Sequence, residues 1–168
     1  MASNSKCSIL KPRLPQMTEA EAADLMARIP SYADQHRELI RNAFDFELNF
    51  GADSIPTLDE IIEAAWPGGP PALLDEVILG FGSYLGESIR KIHGGNWRFE
   101  AEHGLFLDVG GKNLKIFPFA MIHHRLINGP DDSLANYYSM VRGQVEEANK
   151  VMPAALPEIH AECEAKSP

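Results

Sequence analysis

No apolar run in this chain approaches the roughly 18 residues that a membrane-spanning helix needs, so the sequence offers no candidate span. Cysteine is scarce. Cys7 and Cys163 stand near opposite ends and make neither a disulfide framework nor a metal knuckle. Positive charge is in deficit as well, with 15 Lys and Arg against 24 Asp and Glu and a formal net charge of −9. Affinity for nucleic acid comes from clustered Lys and Arg that release phosphate counterions, so this balance predicts no nucleic-acid partner and favours a basic protein partner. The cluster Arg90, Lys91 and His93 falls at a predicted helix C-terminus, where cations complement the macrodipole. Residues Met1 to Gln16 lack the apolar core of a signal peptide, and together with the missing span this predicts a cytoplasmic protein with no membrane partner.

Reaction signatures are missing too. There is no HExxH, no paired CxxC, no GxSxG elbow, no Walker loop, and no GxGxxG between a strand and a helix. The glycines of Gly80 to Gly86 lie in a helical pattern, not in a phosphate loop. Six histidines are present, but His123 and His124 are adjacent and on a helix would diverge by about 100°. His93 and His103 flank a predicted strand, and His160 lies near Cys163 in the tail. The sequence therefore predicts no metal, no cofactor and no catalytic residue, and weighs against an enzyme.

What is present reads as a globular domain. At 45% hydrophobic and 23% charged residues, the composition is that of a folded chain rather than a disordered one. A chain of 168 residues suits one domain. Two prolines and no apolar period before Gln16 predict a flexible arm over 1–17, and Pro153 and Pro157 a flexible tail over 153–168, leaving one domain at 18–152.

Within that domain, Thr18 and Glu21 have capping-box spacing and open a helix that Pro30 is expected to stop. Ser31 then opens a second helix that ends near Phe50, with Gly51 as a left-handed stop. Thr57 and Glu60 suggest another capping box, and the Trp66 to Pro71 run breaks the chain. From about Pro71 to His93, Leu74, Val77, Ile78, Phe81, Leu85, Ile89 and Ile92 follow one another at gaps of 3, 1, 3, 4, 4 and 3, a continuous helical stripe. Gly80, Gly82 and Gly86 sit inside it at up to about 1 kcal/mol each, which predicts close approach of another backbone, with a ligand lying against the bare helix as the functional alternative.

After Gly94 and Gly95 the period changes to two. Trp97, Phe99 and Ala101, then Leu105, Leu107 and Val109, then Leu114 and Ile116 mark three strands, with turns at His103–Gly104 and over 110–113. Such a small sheet needs a helix on one face. A short helix follows Pro118, and a last one is expected from Pro130 to about Val151, with Asp131 and Asp132 in its first turn. The predicted fold is α+β: a helical layer packed on a small three-stranded antiparallel meander and closed by C-terminal helices.

Four motifs carry a resemblance: YLGES at Tyr84 to Ser88, GGNW at Gly94 to Trp97, FPF at Phe117 to Phe119, and RLINGPDDSL at Arg125 to Leu134. Their order and spacing resemble a group of small, mostly bacterial domains of unknown function with the pattern YxGE, GGxW and PFxxxxxRLxNGxxDS. The resemblance covers about a third of the chain, from Gly80 to Tyr138. It implies no catalytic residues, and it is compatible with an immunity-type role, in which a small acidic protein neutralises a toxin.

The residues singled out for binding are Tyr84, Glu87, Arg90, His93, Trp97 and Arg125. Glu87 has two readings. It is either half of an ordinary helical ion pair with Arg90 or Lys91, or a buried carboxylate that needs Arg125 as its partner. The expected function is non-enzymatic protein binding. The alternative is a small-molecule or enzymatic cleft around Glu87, His93 and Arg125.

Overall fold

The computed structural model describes residues 17–109 and 114–151. The arm and tail expected over 1–17 and 153–168 therefore lie outside the described residues, Met17 apart, as does the turn over 110–113. Helix α1 (Glu19–Phe44) opens on the expected capping box: the Thr18 hydroxyl accepts from the Glu21 amide, and the Glu21 carboxylate accepts from the Thr18 amide at 2.8 Å. Pro30 does not end it. A mid-helix proline deletes one backbone hydrogen bond at about 3 kcal/mol. Here the ring sits on the exposed side, and burial of Ile29, Ala33 and Ile40 in the core offsets that cost. The two predicted helices are thus one, and it stops at Phe44, six residues before the predicted end, with Asp45 rather than Gly51 in the left-handed conformation.

Helix α2 (Ser54–Ala65) begins four residues before Leu58, the first helical residue that a Thr57–Glu60 box implies. Thr57 is interior, and its hydroxyl donates to the Asp53 carbonyl at 3.5 Å instead of capping. The true start is fixed by Asn49, whose side-chain oxygen accepts from the Gly51 amide and the Ser54 hydroxyl, both at 2.7 Å. Ile55, Leu58, Ile61 and Ile62 form its buried face.

Helix α3 (Leu74–His93) is the centre of the molecule. It touches α1, strand β2 (Gly104–Val109) and helix α4 (Pro118–Asn128). Sequence periodicity marks one apolar face, yet every residue from Phe81 to Ile89 is buried. The glycines follow from that enclosure, although what crowds them is aromatic rings and not a backbone. A methyl added at Gly82 would overlap Phe119, one at Gly80 would overlap His36, and one at Gly86 would overlap Trp97 and lie 3.2 Å from Pro118. The helix ends at Gly94, where φ is +76°, and Gly95 follows at +126°. A side chain at Gly95 would meet the Asp108 carbonyl, so only glycine lets the first strand start there.

Strands β1 (Asn96–Glu100), β2 and β3 (Leu114–Ile116) pair antiparallel in chain order. The α+β meander is as the alternation predicted, except that Ala101 belongs to the turn. Register places Trp97 opposite Leu107, Phe99 opposite Leu105, and Leu107 opposite Ile116, so these side chains share the face that packs into the core. On the other face Phe106 is buried too, near the Phe117 ring and under Lys115. After α4, residues Gly129–Asp132 form a 3-10 turn, so Pro130 and Asp131 precede the last helix, α5 (Leu134–Val151), instead of starting it. Helix α5 packs on α2, α4 and β3.

Candidate functional site

Three of the six singled-out residues converge. Glu87 is 1% exposed on the α3 face that meets β1, and Arg90 stands one turn on. The Arg90 guanidinium grips the carboxylate with two bonds, Nε to Oε1 at 2.9 Å and Nη2 to Oε2 at 2.7 Å. The Trp97 indole donates to the same Oε1 at 2.8 Å and lays its ring beside Phe119. The pair with Arg90 raises the arginine above its already high ordinary value, chiefly through these hydrogen bonds. Both carboxylate oxygens are thereby committed, and Glu87 serves to tie α3 to β1.

Arg125 does not join them. The expected pair between Glu87 and Arg125 is replaced by a separate network between α2, α4 and α5. Arg125 Nε donates to Asp59 Oδ1 at 2.8 Å, while Nη2 donates to the Asp59 carbonyl at 3.3 Å and to Glu63 Oε2 at 3.1 Å. Asp59 also caps α5: it accepts from the Ser133 hydroxyl and from the Leu134 and Ala135 amides, all at 3.0 Å. Amides at a helix N-terminus lack intrahelical partners, and a carboxylate there also meets the positive end of the dipole. Asp59 was not singled out from the sequence, where it reads as one of several acids in an amphipathic helix.

Tyr84 is fully buried beneath the segment that links α1 and α2. Its hydroxyl accepts from the Phe50 amide at 2.9 Å, and its ring stacks on Phe50 at 4.7 Å. Phe50 holds φ at +61°, a conformation costing about 1–2 kcal/mol in a residue with a Cβ. The bond to Tyr84, the stacking, and the Lys91 ammonium 3.3 Å from the ring centroid hold it there. His93 at the end of α3 meets the Tyr138 hydroxyl at 3.2 Å. Burial lowers its pKa, opposed by the negative charge of Glu146. Among the described residues no group of three or more His, Cys, Asp or Glu is placed to hold a metal ion.

Concavities among the described residues include one beside Arg125 and one apart from all six singled-out residues. A polar one of about 160 Å³ runs past Arg125, Glu63, Trp66 and Asn128. A larger, apolar one of about 360 Å³ opens between α1 and the start of α3, lined by His36, Leu39, Phe44, Trp66, Leu73, Glu76 and Phe81 among others. His36 packs edge-on against Phe81 at 4.2 Å, its Nε2 is buried without a hydrogen-bond partner, and burial brings its pKa down to about 4, so it is neutral at pH 7. None of the six singled-out residues lines this groove. Leu73 lies one residue before the predicted apolar stripe, and neither Leu39 nor His36 is marked by a motif in the sequence. Their grouping depends on how α1 and α3 cross. No helix among the described residues is long and apolar enough to cross a membrane. Comparison with known proteins gives no match: no family model, curated protein or solved structure is significantly similar to the chain.

Proposed function

We propose that this chain is a non-enzymatic protein-binding domain that takes a basic partner, and that its role is of the immunity type, neutralising a toxin in the cytoplasm. The observation that carries this reading is where the chemically capable side chains are spent. Glu87 and Arg125, the strongest candidates for chemistry, are both committed, Glu87 to Arg90 on its own helix and to Trp97 on β1, Arg125 to Asp59 and Glu63 on α2, while the larger concavity presents apolar side chains to solvent. The net charge of −9 would steer a basic partner and raise its association rate. The resemblance to the small bacterial domains of the YxGE, GGxW and RLxNG pattern is compatible with the immunity role.

The small-molecule reading has less support, because Glu87, His93 and Arg125 have separate partners and neither concavity brings them together. The test is affinity capture from the native host with identification by mass spectrometry, followed by kinetics of the purified pair. A partner whose association rate falls steeply with added salt, and whose toxicity is relieved by co-expression of this chain, supports the proposal. A metabolite that stabilises the chain while no protein is captured refutes it.

A further inference from the structure

Two leucines stand at the apolar groove with most of their surface in water, Leu39 at 56% and Leu73 at 65% exposed. Single exposed leucines need no explanation, but a pair flanking a concavity floored by Ile40, Trp66 and Phe81 forms a patch of the kind that marks an interaction site. The charges around it are unbalanced. On α1, Asp34, Arg37, Glu38 and Arg41 pair with one another. Asp75 and Glu76, in the first turn of α3, have no ion-pair partner among the described residues, and Glu76 lines the groove. Neutral His36 adds no positive charge to the floor.

We infer that this groove docks an apolar segment of a partner protein flanked by Lys or Arg, its apolar side chains between Leu39 and Leu73 and its cation against Glu76. The inference rests on the protein-binding reading above and names the surface and chemistry through which it works. A second copy is a poor occupant, since it would bring two unpaired acidic rims together on chains that each carry −9. The chain's own residues 1–16 have the right composition, with Ile9, Leu10, Lys11, Arg13 and Leu14. Their reach is against them. Leu39 lies about 30 Å along α1 from Glu19, whereas Leu14 can reach only about 17 Å back from Glu19, and Ile9 covers the distance only if fully extended.

The experiment uses the full chain labelled with nitrogen-15, whose two tryptophans give two indole signals: Trp66 in the groove and Trp97 on Glu87. The probe is a synthetic peptide of leucine and lysine at helical spacing, beside one of equal length with glutamate for lysine. The lysine peptide should shift the Trp66 signal and leave Trp97 in place, and the glutamate peptide should shift neither. Leu39→Asn with Leu73→Asn should weaken binding about tenfold or more, and Glu76→Lys should weaken it as well. Both leucines are more than half exposed, so the double variant should keep its fold, which an unchanged Trp97 signal verifies. Equal binding of both peptides, or indifference to the leucine variants, overturns the inference. So does a peptide-free Trp66 shift that grows with protein concentration, which would mean a second copy, or one produced by Lys11→Glu with Arg13→Glu, which would mean the chain's own segment. A captured partner that binds the double variant as tightly as the parent chain overturns the groove but leaves the protein-binding reading standing. Peptide docking with the predicted charge preference, but no protein captured, does the reverse.

Discussion

Replacing Asp59 by alanine removes the acceptor on which three helices meet. Its carboxylate receives Arg125 Nε at 2.8 Å and the Ser133 hydroxyl, Leu134 amide and Ala135 amide at 3.0 Å. The Arg125 side chain is only 5% exposed, and Glu63, its remaining acidic partner, is 55% exposed. Removing one partner of a buried pair typically costs about 3–5 kcal/mol, because the surviving charge is left poorly compensated. Loss of a helix cap alone is worth about 1 kcal/mol, and the helix dipole less than that. These contributions overlap, so the expected loss for Asp59→Ala is about 3–5 kcal/mol in total. Asp59→Asn keeps one acceptor oxygen and should lose about 1–3 kcal/mol. Glu63→Ala, which removes the exposed partner, should lose no more than about 1 kcal/mol. Urea denaturation reads all three as shifts in midpoint at constant slope. A double-mutant cycle with Arg125→Met should give strong coupling to Asp59 and additivity with Glu87→Gln. A loss below about 1 kcal/mol for Asp59→Ala, or additivity with Arg125→Met, would refute the network as the bond between α2, α4 and α5.

Three further outcomes concern contacts of α3 and α1. Gly86→Ala gains up to about 1 kcal/mol of helix propensity but forces the Trp97 ring off its bond to Glu87, so a net loss of about 1–2 kcal/mol is expected on denaturation, and a gain would show that the ring moves freely. Tyr84→Phe strands the buried Phe50 amide and should cost about 1–3 kcal/mol, with faster amide exchange at Phe50; unchanged exchange would show that this bond does not hold the segment. His36, at about 4 when folded against an ordinary 6.5, contributes stability that is complete above pH 6.5. That contribution declines as the unfolded chain takes up a proton below pH 6.5, and it levels off near pH 4, a loss on the order of 3 kcal/mol. His36→Leu should flatten the stability profile over that range, and an unchanged profile would mean that the imidazole is protonated in the fold.

The elements legible from the chain are those written in local spacing. The Thr18–Glu21 box, the stripe from Leu74 to Ile92 apart from the exposed Ile92 at its end, the glycines at 94 and 95, and the alternation from Trp97 to Ile116 each depend on neighbours within a few residues, and each lies where the spacing put it. The misreadings were local signals outweighed by packing. Pro30 is a strong helix breaker, yet it is carried inside α1 by the buried face around it. The Thr57–Glu60 spacing is a genuine capping pattern, but Asn49 and Ser54 start α2 a turn earlier.

By itself, then, the sequence determined a helical layer on a three-stranded meander, the centrality of the glycine-bearing helix, and the acidic net charge. Only the tertiary structure decided which charges meet. Glu87 took Arg90 and Trp97, and Arg125 took Asp59 across 66 residues of chain. The apolar groove, too, exists only because α1 and α3 cross with Leu39 and Leu73 left outside. Spacing fixes which side chains share one helix or strand, but a partner on another element is chosen by crossing geometry and by the demand that each buried charge be satisfied, and neither is a property of any short stretch of sequence.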